Sequence, residues 1–428
     1  MSIKVCLDNL SEELKTNIAR NLQFTPKETK YGPSDKVVCA FDIEDNDVYL
    51  PLYFAQKTLK LERRSRKDFP QLKLKFSGKL RPLQQEVKKE ALRKLNKKGT
   101  TIISLFTGGG KTITAINITL TIKMPVLIIV SRVILINQWE ESIKKFCDDA
   151  IVQKVKPKTK VDKKAHFYII NAINVPKLPR DTFNHVGTLV VDELHLIGTE
   201  KLSNSLHYVS PRYAIGLSAT PSRPDGMDNL LFAYFGSDII FRKLHRKHLV
   251  YRVKTNFVPT VEQTRMGKLD WNSVLNSQAE SDERNDKIVK IIEHFSDRCF
   301  LVLCKRVSHV QTIVEKLKAK NIDVTSLVGM KKEFDTTSRV LIATVQKAGV
   351  GFNHPKLDAL IVAADLQEYF IQYLGRVFRT EEGVPVIFDL VDKFPVLERH
   401  YRQRRLVYLE HGGTIKNFQT TFPNFFVN

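Results

Sequence analysis

The stretch TIISLFTGGGKT, Thr101 to Thr112, decides how the rest of the chain is read. An apolar run of strand character (Thr101–Phe106) meets three consecutive glycines, and Lys111 and Thr112 then open a helical segment, Lys111–Ile122. A glycine-rich turn from strand into helix belongs to α/β architecture. Glycine lets backbone N–H groups turn inward around oxyanions, and the helix N-terminus adds partial positive charge. The stretch therefore reads as a phosphate site, in which Lys111 reaches the β- and γ-phosphates and the Thr112 hydroxyl ligates Mg²⁺. The pattern G-x-x-x-x-G-K-[ST] asks for a glycine five residues before Gly110, where this chain has Leu105. On the glycines alone, a turn kept for packing is the competing reading.

Strand-like and helical runs alternate outward from this point. A helix is expected near Gln84–Leu95, then strand Val126–Val130, helix Leu135–Phe146, and strands Phe167–Ile170, Thr188–Val191 and Ala214–Leu217. Continuous apolar runs such as VLIIV and LVV indicate parallel strands covered on both faces. The rhythm restarts at Phe300–Leu303 and continues through Val340–Ala343, Ala359–Ala363 and Pro385–Leu390. The fold class expected is α/β, with two tandem parallel-sheet domains at 79–245 and 281–428 joined by a linker, 246–280. Residues 1–78 lack this rhythm. They read as a small α+β appendage, with two short strands around an Asp-Asn turn in Val37–Phe54 and a basic stretch, KTLKLERRSRK (Lys57–Lys67), that contacts duplex or covers the first domain.

The 428-residue chain carries 68 Lys and Arg against 46 Asp and Glu, a net charge of +22, which makes a polyanion the first partner to consider. VQKVKPKTKVDKK (Val152–Lys164) reads as a solvated loop, and ERHYRQRR (Glu398–Arg405) as an amphipathic helix over a core or a nucleic-acid groove. Five scattered cysteines without a C-x-x-C pair suggest neither a disulfide framework nor a zinc site. The opening MSIKVCLDNLSEELK breaks its apolar residues with charges, and no run has membrane-spanning length. An intracellular, soluble protein is expected, in nucleus, cytoplasm or virion.

Further chemistry lies downstream. LVVDELH, Leu189–His195, ends a buried strand in two acids, which is costly unless the carboxylates have a task. Asp192 would hold Mg²⁺ and Glu193 would activate the attacking water. GLSATPSRPDG places the Ser218 and Thr220 hydroxyls at the end of another strand, where they could sense the site's occupancy. In LRPLQ, Gln84 could read an adenine edge with its paired donor and acceptor. QYLGRVFR, Gln372–Arg379, puts Arg376 and Arg379 on one helical face, with Gln372 one turn before Arg376. Two such arginines suit charge neutralisation at a neighbouring domain's phosphate site.

Taken in order, GGGKT, DELH, SAT and Q-x-x-G-R-x-x-R resemble the motifs of superfamily 2 helicases and translocases. SRVILINQW (Ser131–Trp139) resembles their motif Ia and ATVQKAGVGFNHP (Ala343–Pro355) their motif V, so the resemblance covers Leu80 to Val391. The family's loop is shorter at its front, and Leu105 is then no defect. The resemblance implies two RecA-like domains with ATP and Mg²⁺ in the cleft between them and nucleic acid across both. It assigns Thr107, Gly108, Gly109, Gly110, Lys111 and Thr112 to the phosphate loop, Asp192 and Glu193 to the acidic pair, and Gln372, Arg376 and Arg379 to the inter-domain helix. His195, Ser218, Ala219 and Thr220 fall in coupling motifs, and Gly351 and Asn353 near the nucleotide, with Asn353 standing where many relatives have Asp. Ser131, Arg132, Gln138 and Thr344 fall in nucleic-acid motifs.

LRPLQ, INQW, ATPSRPDGMD and SDERND are more similar to XPB/UvsW-type DNA translocases than to DEAD-box RNA helicases. GVGFNHPKLD with FIQYLGRVFR is similar to helicases of large DNA viruses, including transcript-release factors. The expectation is an ATP-dependent monomeric motor on nucleic acid, with DNA favoured and RNA the alternative, and with transcription or replication proteins as candidate partners. A clamp switched by ATP that unwinds nothing, or the motor part of a larger restriction or remodelling machine, would share these motifs.

Overall fold

The computed structural model describes residues 1–27, 37–106, 108–219, 225–264, 266–329, 333–348, 354, 356–366, 370–378 and 383–426. The chain divides into two compact units, Met1–Leu105 with Gly109–Arg242, and Lys243–Asn428 with Phe106–Gly108. Each is built on a seven-stranded, wholly parallel sheet. Among the described residues no helix is long and apolar enough to cross a membrane.

In the first unit the strands lie in the order Ile239–Arg242, Thr100–Leu105, Tyr213–Ser218, Thr188–Val191, Val126–Val130, Phe167–Asn171, Val152–Lys154. Successive side chains of a strand face opposite sides, and VLIIV serves both. Leu127 and Ile129 enter one core, while Val126, Ile128 and Val130 enter the other. The second of these cores is closed by helices Pro82–Lys98, Lys111–Ile122 and Val133–Phe146, through Val87, Ile116 and Trp139.

The first core is closed partly by the N-terminal residues. Strands Ser2–Cys6, Asp47–Pro51 and Asp42–Glu44 form an antiparallel sheet, with the expected turn at Asp45 and Asn46. Met1, Leu22 and Leu50 of this appendage share a core with Leu127 and Tyr168 of the parallel sheet. The basic stretch satisfies backbone carbonyls of the same unit. Arg63 donates to Leu95 O at 2.9 Å and Asn96 O at 3.0 Å, near the end of helix Pro82–Lys98. Arg66 donates to Ile122 O at 2.7 Å at the end of helix Lys111–Ile122. Helix C-termini leave carbonyls unpaired and carry partial negative charge, so guanidinium groups satisfy both demands. VQKVKPKTKVDKK is not wholly loop, because Val152–Lys154 pairs with Phe167–Asn171 as an edge strand.

The second sheet runs Val324–Leu327, Val340–Thr344, Phe300–Cys304, Ala359–Val362, Val386–Val391, His248–Lys254, Gly413–Asn417. Residues 246–280 were expected to be a linker, but His248–Lys254 lies between Val386–Val391 and Gly413–Asn417 in the sheet. Its sequence HLVYRVK alternates charged and apolar residues, which hid a central strand. ERHYRQRR lies on helix Pro395–Glu410, where Arg404 is buried. That guanidinium donates to Asp389 at 2.9 and 2.7 Å, to Asp365 at 3.2 Å and to Leu366 O at 3.1 Å.

Two histidines give a pH prediction. Burial draws His207 and His309 down from 6.5 to about 3, and a neighbouring cation (the chain amino group for His207, Arg284 for His309) adds to it. Both stay neutral in the fold, so their share of stability is complete above 6.5 and is lost as pH falls toward 3. Each is expected to remove about 1.4 kcal/mol per pH unit within that window. Urea midpoints at pH 7, 6 and 5 should fall, and less steeply for His309→Gln; parallel profiles would contradict this.

Candidate nucleotide site

Thr188–Val191, Tyr213–Ser218 and Thr100–Leu105 are neighbours in the first sheet and run the same way. Their carboxyl ends bring the acidic pair, Ser218 and the glycine loop to one edge, where open α/β sheets bind ligands. Leu105 is fully buried as the last strand residue, so that position serves the core. Its carbonyl accepts a hydrogen bond from Lys111 Nζ at 3.0 Å, which folds the lysine back over the loop.

Gly108 and Gly110 take φ of +84° and +83°, a region that side chains disfavour. Gly110 precedes Lys111–Ile122, and its carbonyl accepts from Thr114 N at 3.0 Å and Thr114 Oγ1 at 2.9 Å. Buried Gln84 accepts from Arg81 N at 2.8 Å through Oε1. A Cβ at position 110 would fall 1.9 Å from Gln84 Nε2. Gly110→Ala is therefore expected to displace Gln84, strain the loop and abolish measurable ATP hydrolysis, while lowering stability by about 1 kcal/mol or more. Phosphate-release assays beside thermal melts check both. Wild-type turnover in the variant would contradict this reading of the loop.

Asp192 is 7% exposed. Its Oδ2 accepts from Trp139 Nε1 at 2.8 Å and its Oδ1 from Glu193 N at 2.9 Å. Burial raises its pKa, and the Glu193 carboxylate raises it further, against the Trp139 bond and the Lys111 charge. Trp139 was not anticipated as part of the site. It comes from helix Val133–Phe146, and only the fold shows that INQW reaches DELH. Glu193 takes φ +48°, a costly conformation for a non-glycine residue. Its Oε2 has no hydrogen-bond partner and lies 3.6 Å from His195 Nδ1, which is 3.0 Å from Ser218 Oγ.

The first unit thus gathers Gln84, Gly109, Gly110, Lys111, Asp192, Glu193, His195 and Ser218 around one sheet edge. Thr112 is half-buried in the first turn of its helix, and Ala219 directly follows Ser218. Ser131 and the exposed Arg132 follow strand Val126–Val130, and Gln138 is half-buried on the helix that carries Trp139. In the second unit, Thr344 ends strand Val340–Thr344 and is 8% exposed. Gln372 and Arg376 lie on helix Phe370–Val377, with Arg376 6% exposed. Thr107, Thr220, Gly351, Asn353 and Arg379 lie outside the described residues.

The donor set fits a metal-bound polyphosphate. Two left-handed glycines and a helix N-terminus with a lysine face anions. The buried Asp192 and the orphaned Glu193 Oε2 beside it are hard oxygen ligands held short of cationic partners.

Residues 77–223 match the family described as type III restriction enzyme, res subunit. The chain is 41% identical over 414 residues to the protein named "Putative helicase 161L" of Invertebrate iridescent virus 6, covering 91% of this chain and 93% of that one. It is 24% identical to the DNA 3'-5' translocase XPB2 of Sulfurisphaera tokodaii, over 82% of this chain and 90% of the relative. Among solved structures, S. cerevisiae Dbp5 bound to RNA and ADP BeF3 aligns with a TM-score of 0.55 at 13% identity, covering 81% of this chain and 96% of that one. That likeness concerns the fold of two tandem RecA-like domains.

Proposed function

The chain belongs to the superfamily 2 helicases, together with helicases of large DNA viruses, and hydrolyses ATP; from this premise we propose that it is a motor that moves along or unwinds nucleic acid, with duplex or branched DNA favoured. The observation that carries the ATP half is the buried Asp192–Glu193 pair beside Lys111 and the left-handed glycine loop. Favouring DNA rests on the likeness to XPB2; the net charge of +22 supports a polyanionic track of either kind.

Gln84 borders the loop and is placed to hold the adenine. The loop amides and Lys111 bind the β- and γ-phosphates, and Lys111 leaves Leu105 O to do so. Thr112 and Asp192 would hold Mg²⁺, whose chemistry is to neutralise charge on the phosphate oxygens. Glu193 accepts a hydrogen bond from the attacking water and takes its proton as the new P–O bond forms. The unpaired Oε2 is the atom available for that task. Arg376, with Arg379, stabilises charge that develops on the transferring phosphoryl group. His195 and Ser218 join the Glu193 segment to the end of Tyr213–Ser218, so a shift in one strand end reaches the base.

Grip through the sugar-phosphate backbone implies little sequence preference and a steep salt dependence, with affinity for duplex falling at a log–log slope of about −0.9 per phosphate contacted. Strand displacement on forked DNA and forked RNA, with and without ATP, tests the assignment. Displacement of DNA that requires ATP is expected. A preference for RNA would move the substrate, and ATP-dependent binding without displacement on either fork would make the protein a clamp.

A further inference from the structure

The residues after strand His248–Lys254 leave the carboxyl edge of the second sheet and return as an antiparallel hairpin, with Glu262 opposite Asp270 and Gln263 opposite Leu269. Among the described residues it pairs with neither main sheet. The nucleotide site makes no use of it, yet it is braced throughout. In its turn, Gly267 N donates to Thr264 O at 2.8 Å and Thr264 N to Lys268 O at 2.7 Å. At its stem, Glu262 N donates to Ser273 Oγ at 2.9 Å and Thr260 N to Ser277 Oγ at 3.1 Å, which ties it to helix Trp271–Glu280.

That helix is fixed in turn to the sheet edge. Arg306, just past strand Phe300–Cys304, donates to Asn272 Oδ1 at 2.6 Å and Asn276 Oδ1 at 2.9 Å. Gln278 Nε2 donates at 2.6 Å to buried Asp392, which also accepts from Thr255 and Arg284. The Trp271 ring lies 5.6 Å from that of His400, whose Nδ1 is 2.9 Å from Asp365 Oδ2.

On this rigid stem Met266 is 86% exposed, Val258 61% and Val261 43%. Single exposed apolar residues are ordinary, but several on one braced projection call for a partner. We propose that this hairpin contacts the bases of nucleic acid at a duplex junction, with Met266 packing on the exposed base pair. The proposal rests on the reading of the chain as a nucleic-acid motor. Base faces are flat and apolar, and methionine is among the side chains that wedge between base steps. A two-stranded ribbon is of a size that the major groove admits. The exposed Lys268 beside Met266 supplies a cation for the adjoining phosphate. Charge favours this occupant over an apolar protein, since the chain carries +22. Position favours it too, because Arg306 and Thr344 follow or end adjacent strands at the same sheet edge.

The test is a forked DNA duplex with 2-aminopurine at its first paired position, titrated with the full chain without ATP. The wild-type protein is expected to raise the junction fluorescence as the base unstacks. Met266→Gly is expected to bind the fork with a Kd within about threefold of wild type, because phosphate contacts dominate affinity. It should lose the fluorescence rise and, with ATP, about tenfold in strand displacement. Its single-strand-stimulated ATPase should stay within about twofold, and Met266→Leu should restore the junction signal. An unchanged junction signal in Met266→Gly overturns the proposal. So does an equal fall in ATPase and displacement, which would make the hairpin a structural brace or a protein-docking site. The junction signal needs no hydrolysis, so a wild-type protein without nucleic-acid-stimulated ATPase would sink the motor reading and leave this one to its own result.

Discussion

Arg376→Ala is expected to slow ATP turnover by about 10³–10⁵ while ATP still binds, since a positioned arginine contributes that much to phosphoryl transfer. The side chain sits on a helix whose apolar face (Phe370, Tyr373, Leu374 and Val377) is embedded in a core of the second unit, so the guanidinium is held by packing. Position on a rigid element is what an arginine acting on a transition state requires. Arg376→Lys is expected to rescue little, because an ammonium lacks the planar fork that meets two phosphate oxygens. Single-turnover hydrolysis, a fluorescent-nucleotide titration and a thermal melt separate the outcomes. Loss of turnover with binding and melting retained supports the assignment. Near-normal turnover would leave Arg376 as a structural cation.

The second large effect belongs to Glu193. Glu193→Gln preserves shape and removes the proton acceptor, and hydrolysis is expected to fall by about 10²–10⁴. The same change removes the carboxylate that raises the pKa of buried Asp192. Stability should therefore hold or rise while activity collapses, a combination that damage to the fold cannot produce. Lys111→Ala offers the contrast, because it removes a phosphate ligand and should weaken nucleotide binding itself. A Glu193→Gln protein with wild-type turnover would exclude Glu193 as the base.

Legibility in the sequence tracked how local each feature is. The glycine loop, the acidic pair and the two sets of apolar strands were readable because each is one continuous string with its chemistry attached. Leu105 looked like a defect only against the longer loop pattern; in the fold it is a core residue whose carbonyl receives Lys111. The Trp139–Asp192 bond spans fifty-three positions, and no spacing announces it. His248–Lys254 was mistaken for linker because its charged residues interrupt the apolar pattern, although five-residue pairing on one side places it inside the sheet. Arg63, Arg66 and Arg404 belonged to clusters that suggested nucleic acid, and all three are hydrogen-bonded to carbonyls or carboxylates of their own units. Charge in a sequence reveals the sign of a surface and not which cations are already engaged.

The most direct test of the motor reading is the steady-state rate of ATP hydrolysis by the full chain, measured alone and with forked DNA, duplex DNA, single-stranded DNA and RNA. A rate that rises at least about tenfold with nucleic acid, most with forked or duplex DNA, and that loses this rise as salt increases is the expected result. A rate indifferent to every nucleic acid would contradict it.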